Sequence, residues 1–152
     1  MCGGVGFKIK NIPEKEFSKY FSQELIKRFK TTGEVESFFW HKDAVLPVKT
    51  NAGVQLKIWG NKDEEVKLPK TGWAKIESLK AGKWDHLHPE TLDIPIEKGY
   101  EKKVWFDTPE GTKGILVRKD NEERVYMITE EANEEYKNKT KHDREPLGRK
   151  IF

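Results

Sequence analysis

The chain has 152 residues and a net charge of +3, with 35% apolar residues, 36% charged residues, five Trp, four Tyr and eight Phe. That length predicts one domain over residues 1–152, with a core large enough to need no disulfide or metal staple, and the aromatic content excludes a disordered chain. A single cysteine excludes an internal disulfide and predicts a reducing, cytoplasmic setting; no secretory leader and no apolar run of membrane-spanning length is seen, so no membrane partner is expected.

The first ten residues read as a short strand, with Val5, Phe7 and Ile9 alternating against Gly6, Lys8 and Lys10. Pro13 then opens a predicted amphipathic helix to about Lys30, striped by Phe17, Phe21, Leu25 and Phe29 and stopped near Gly33. Short strands follow over 35–41, 45–50 and 54–59, separated by turn residues. A charged loop occupies 60–70, and 73–79 reads as a short helix or an irregular segment. Four more strands are predicted over 92–96, 104–107, 115–119 and 124–129, then a helical segment over 130–136 and a polar tail. Many short strands with a few helices predict an α+β domain: a curled, mostly antiparallel sheet or partial β-barrel, a long N-terminal helix and short peripheral helices.

Three features carry candidate chemistry. Cys2 follows the first methionine, whose removal would leave a free α-amine with an ordinary pKa of about 7.7–8 beside a thiol of about 8.5. Such an aminothiol can attack an aldehyde and close to a thiazolidine; an ordinary terminal cysteine is the plain alternative. Glu101, just past a predicted strand, has the chemistry of a general acid or base, or of a solvated loop charge. His142, within Lys141-His142-Asp143-Arg144-Glu145-Pro146, can shuttle a proton near neutrality or belong to a charged tail. His86 and His88 have no third ligand at metal spacing, so neither a metal nor any other cofactor is expected.

These features occur together in one known family. The chain resembles the SOS-response-associated peptidase-like (SRAP) family, which crosslinks to abasic sites in single-stranded DNA. Its members begin Met-Cys-Gly-Arg, against Met1-Cys2-Gly3-Gly4 here, and carry a Trp-Gly, as at Trp59-Gly60. Their Asn-Ala-Arg-x-Glu-Thr segment is echoed by Trp73-Ala74-Lys75-Ile76-Glu77-Ser78. Their Pro-x-x-Gly-x-x-Glu keeps its outer spacing at Pro95 and Glu101, with the glycine at Gly99. Their Ile-Val-Thr and His-Asp-Arg-x-Pro elements match Met127-Ile128-Thr129 and His142-Asp143-Arg144-Glu145-Pro146. Gly4, Trp73 and Lys102 stand where the family carries Arg, Asn and Trp.

The resemblance implies that Cys2 forms a thiazolidine with the ring-opened sugar. Glu101 would move protons at the Cys2 amine and help release Met1, and His142 would act near the sugar or its 3′ phosphate. Lys75, Arg144 and Arg149 would contact phosphates, and Trp59 and Trp73 would stack on flanking bases or, equally, fill the core. The expected partner is single-stranded DNA with an abasic site, and a monomer is expected. Two other functions stay open. Met1-Cys2-Gly3-Gly4-Val5-Gly6 also resembles the start of class II glutamine amidotransferases, implying an N-terminal-cysteine amidohydrolase. A non-enzymatic nucleic-acid-binding or partner-binding module with a decayed site is the third.

Overall fold

The computed structural model describes residues 2–10 and 12–152. In chain order these form β1 (Gly4–Lys8), α1 (Glu14–Ser18), α2 (Gln23–Thr32), β2 (Glu34–Phe38), β3 (Val45–Thr50) and β4 (Gly53–Ile58). Next come β5 (Trp73–Lys75), α3 (Ile76–Lys80), a 3-10 turn at Asp85–Leu87, β6 (Glu90–Ile94), β7 (Lys98–Glu101) and β8 (Val104–Asp107). The chain ends with β9 (Thr112–Lys119), β10 (Glu122–Glu131), α4 (Glu134–Thr140) and β11 (Arg144–Pro146). The result is α+β with mostly antiparallel sheets, and no closed barrel forms among the described residues. No helix of the described residues is long and apolar enough to cross a membrane.

One sheet has the order β2-β1-β7-β8 and the other β11-β10-β9-β6, with β5 laid parallel on β10; β3 and β4 form a separate hairpin. In β1 the alternation expected from the sequence holds: Val5 and Phe7 enter the main core. Its other face is made by Gly4 and Gly6, over which neighbouring side chains fold. Cys2, immediately before β1, belongs to the same core cluster and is fully buried.

The predicted long N-terminal helix is instead two short ones. Ser22 adopts an extended conformation and its hydroxyl accepts the Leu25 N–H, capping α2 and ending any continuous helix before it. The apolar spacing survives the break because Phe21 packs edge-on against Phe29 at 5.1 Å, while Phe17 reaches Phe29 at 6.3 Å. Gly33, at φ 76°, closes α2 as expected. Four further segments differ from their predicted state: residues 73–75 form β5 ahead of α3, and the helix expected over 130–136 gives way to the end of β10 and starts only at Glu134. Residues 98–101 form the interior strand β7, so Glu101 lies at a strand end rather than beyond one. The polar tail contributes β11, paired to β10, and ends with Ile151 bridged to Asp107.

Candidate functional site

The β1–β7 pair builds the site. Gly4 lies opposite Tyr100, and the Gly3 N–H donates to the Tyr100 carbonyl at 2.8 Å, bringing the chain at Cys2 alongside the end of β7. The Cys2 thiol donates to the Gly4 carbonyl at 2.9 Å. Gly99 is required beneath it: a Cβ there would stand 2.8 Å from the Cys2 sulfur and 2.6 Å from the Phe106 ring. Burial pushes the thiol up to about 12, with the negative charge of Glu101 adding to the rise. Burial also raises the Glu101 carboxyl above the ordinary carboxylate range, opposed by the Lys102 ammonium and a backbone bond from Gly3. Cys2 and Glu101 are therefore neighbouring buried groups, and the carboxylate charge favours the protonated thiol.

Tyr136 completes this cluster and was not singled out from the sequence. Its side chain is fully buried on α4, packed edge-on against Phe106 at 5.4 Å. Burial, then the charges of Cys2 and Glu101, drives its phenol far above the ordinary value, so it remains a proton-bearing donor. A lone tyrosine in a charged segment carries no sequence signal that would separate it from an ordinary core residue.

His142 sits just beyond α4, at the edge of the same region. Its neighbour Lys141 takes the left-handed conformation and accepts a hydrogen bond from Lys102 at 2.7 Å, tying the β7–β8 turn to this loop. His142 Nδ1 accepts the Arg144 N–H at 3.0 Å, which leaves the proton of the neutral ring on Nε2. Burial, aided by the Lys102 charge, holds the imidazole below its ordinary value. His142 is thus neutral at pH 7 and presents an N–H donor.

The residues expected to hold DNA fare differently. Trp59 is buried; its indole N–H donates to the Gly72 carbonyl at 2.9 Å and its ring packs with Phe39 and Trp73. No base can stack on it in this conformation. Trp73 is half-buried, and its N–H donates to the Cys2 carbonyl at 2.9 Å, so it holds the cysteine backbone. Arg144 is engaged in two 2.8 Å bonds to Glu77 and one of 2.9 Å to the Thr129 carbonyl, which makes it a clamp between β10, β11 and α3. Lys75 and Arg149 are exposed on the surface. The removal of Met1 lies outside the described residues. Comparison of the sequence with protein-family models found no match, and none was found among curated proteins.

Proposed function

We propose that this chain is an abasic-site-processing protein of the SRAP type, which forms a thiazolidine crosslink between Cys2 and the ring-opened sugar of an abasic site in single-stranded DNA. The observation that carries this is the burial of the Cys2 thiol beside the Glu101 carboxyl at one end of the β1–β7 pair, with both groups raised in pKa by that burial. Titratable groups perturbed by burial together with a specific charged neighbour, as the Cys2 thiol is by Glu101, cluster at functional sites.

Chemically, release of Met1 would free the Cys2 nitrogen. The neutral amine attacks the sugar aldehyde, giving a carbinolamine. Loss of its hydroxyl as water leaves an imine. The thiol then adds to the imine carbon and its proton passes to nitrogen, so aldehyde and aminothiol give thiazolidine and one water. In this reading Glu101 takes the amine's proton and returns it to the departing hydroxyl, and a carboxyl titrating above its usual range suits both tasks. His142, neutral and bearing Nε2–H, is a donor for the sugar oxygen during ring opening.

The test is incubation with single-stranded DNA carrying an abasic site, followed by a denaturing gel. An adduct that survives denaturation and is absent in Cys2→Ala is expected. Its absence from protein shown by mass to lack Met1 would refute the proposal. Glutamine hydrolysis by the same preparation would assign the site to amidohydrolase chemistry instead.

A further inference from the structure

The outer face of the four-stranded sheet carries one cross-strand row at its Cys2 end. Phe38 on β2 lies opposite Gly4 on β1, Gly4 opposite Tyr100 on β7, and Tyr100 opposite Trp105 on β8. Because Gly4 has no side chain, Phe38 closes the gap: a Cβ on Gly4 would be 2.5 Å from its ring. Phe38 thus touches Tyr100 edge-on at 5.5 Å and Trp105 at 6.0 Å. Trp40 extends the row, 4.9 Å from Phe38 and stacked over Gly3, where a Cβ would be 3.1 Å from its ring. None of the four rings is buried, and Trp40 is 59% exposed, the most exposed large apolar side chain among the described residues.

Covering the glycines explains Phe38 but not the outward face of Trp40. Charge gives the row a direction. The next row along the sheet is Glu36-Gly6-Lys98-Asp107: Lys98 lies over the Trp105 ring at 4.4 Å and is paired with Glu34 beyond it at 2.8 Å, which leaves Glu36 and Asp107 as the carboxylates there without an ion pair among the described residues. Beyond Trp40, Lys42 and Lys62 share a groove with Asp63, Glu64 and Glu65, a side of mixed sign. The β7–β8 turn, by contrast, is Lys102-Lys103, and neither residue forms an ion pair among the described residues. Both residues have positive φ, 46° and 70°, as a two-residue hairpin turn of this hand requires. The equivalent β9–β10 turn uses Asp120-Asn121, residue types that tolerate this conformation better. Two lysines therefore occupy a strained turn at the end of β7 where less strained residues would serve the fold; the Lys102 ammonium donates to the Lys141 carbonyl at 2.7 Å.

We infer that the Phe38–Trp40–Tyr100–Trp105 row is a stacking platform for the unpaired bases of a single-stranded nucleic acid, whose phosphates run along Lys102 and Lys103. Bases stack on exposed rings without sequence preference, and lysines track the backbone. The surface deepens the DNA reading of the Cys2 site and rests on it for its substrate, but it is testable without any adduct.

The probe is a fluorescein-labelled oligothymidylate lacking any abasic site, titrated by anisotropy at low and moderate salt. Trp40→Ala is expected to weaken binding about tenfold or more, with Trp40→Phe intermediate. Lys102→Gln with Lys103→Gln should weaken binding and flatten its salt dependence. Lys119→Gln on the other sheet should change nothing. Thermal melting of each variant checks that the fold is intact. Wild-type affinity in folded Trp40→Ala, or no binding by the wild type, overturns the platform. Self-association that Trp40→Ala abolishes would assign the row to a second copy and also overturn it. Weakened oligothymidylate binding with no adduct on abasic DNA leaves the platform standing and removes the crosslinking proposal. An adduct formed with wild-type half-saturation in Trp40→Ala does the reverse.

Discussion

The indole N–H of Trp73 donates to the carbonyl of Cys2 at 2.9 Å, joining β5 to the residue that carries the thiol. Trp73 is itself held against Phe39 at 4.8 Å and registered on β10 opposite Met127. The bond therefore fixes the Cys2 backbone to the second sheet. Trp73→Phe keeps most of the ring and deletes the donor. It should cost about 1 kcal/mol of stability by urea denaturation and slow adduct formation at saturating DNA more than it weakens DNA binding. Equal loss in Kd and in rate would show that Trp73 contacts DNA instead of positioning Cys2.

Glu101 gives a second, oppositely directed expectation. Its folded pKa is raised, chiefly by burial. A group raised in this way favours folding below its unfolded pKa, and that contribution is lost as pH rises through the folded value. At neutral pH the ionised carboxylate is thus a liability, and Glu101→Gln should stabilise the protein by an amount on the order of 1 kcal/mol. The gain should shrink as pH falls through the raised folded value and be nearly gone below about 4.5, the ordinary carboxyl value. Adduct formation, in contrast, should fall sharply and lose the pH dependence that Glu101 confers. Melting curves and single-turnover rates across pH 4 to 8 test both; a destabilised Glu101→Gln protein would contradict the burial argument.

Sequence reading succeeded where local chemistry and tertiary context agree. β9 and β10 were legible as the apolar runs expected over 115–119 and 124–129. β7 was missed because its pattern is inverted: Gly99 and Glu101 face the interior, while Lys98 and Tyr100 face outward. The interior must leave room for the Cys2 sulfur and supply a carboxyl beside it, so the strand breaks the usual alternation at the site it serves. β11 was hidden for a similar reason. Its buried Glu145 is paired with buried Lys150 at 2.8 Å, and no hydropathy signal distinguishes a paired charge from a solvated one. The family motifs singled out Cys2, Glu101 and His142; for Trp59 the sequence left base stacking and core filling equally open, and the structure puts it in the core, while Trp40, which no motif marks, lies outside it.

Thiol reactivity reports on the site before any DNA is added. With the Cys2 pKa at about 12, its thiolate fraction at pH 8 is roughly a thousandfold below that of a free cysteine. Native protein that retains Met1 should therefore resist iodoacetamide at pH 8, whereas unfolding in urea should allow complete labelling, read by intact mass. The native rate should climb as pH rises toward 12. By the same sign rule, the contribution of the neutral thiol to stability is complete below pH 9 and lost between about 9 and 12. Rapid native labelling at pH 8 would show that the thiol is not buried as described.

Two glycines separate the demands of the thiol from those of the aromatic row. At Gly99 an added methyl would meet the Phe106 ring at 2.6 Å and the Cys2 sulfur at 2.8 Å, both buried and closely packed. At Gly4 it would meet the Phe38 ring at 2.5 Å and the Tyr100 Cβ at 3.2 Å, but the Phe38 ring is only half-buried, on the outer face of the sheet rather than in the core. Gly99→Ala should accordingly cost about 1–3 kcal/mol and depress the adduct rate by displacing the sulfur. Gly4→Ala should cost less and leave the rate near wild type, while weakening oligothymidylate binding through the displaced Phe38. Melting temperatures, single-turnover rates and anisotropy on the two variants distinguish these outcomes. If Gly4→Ala slowed the adduct as much as Gly99→Ala, the thiol and the aromatic row could not be independent parts of the site.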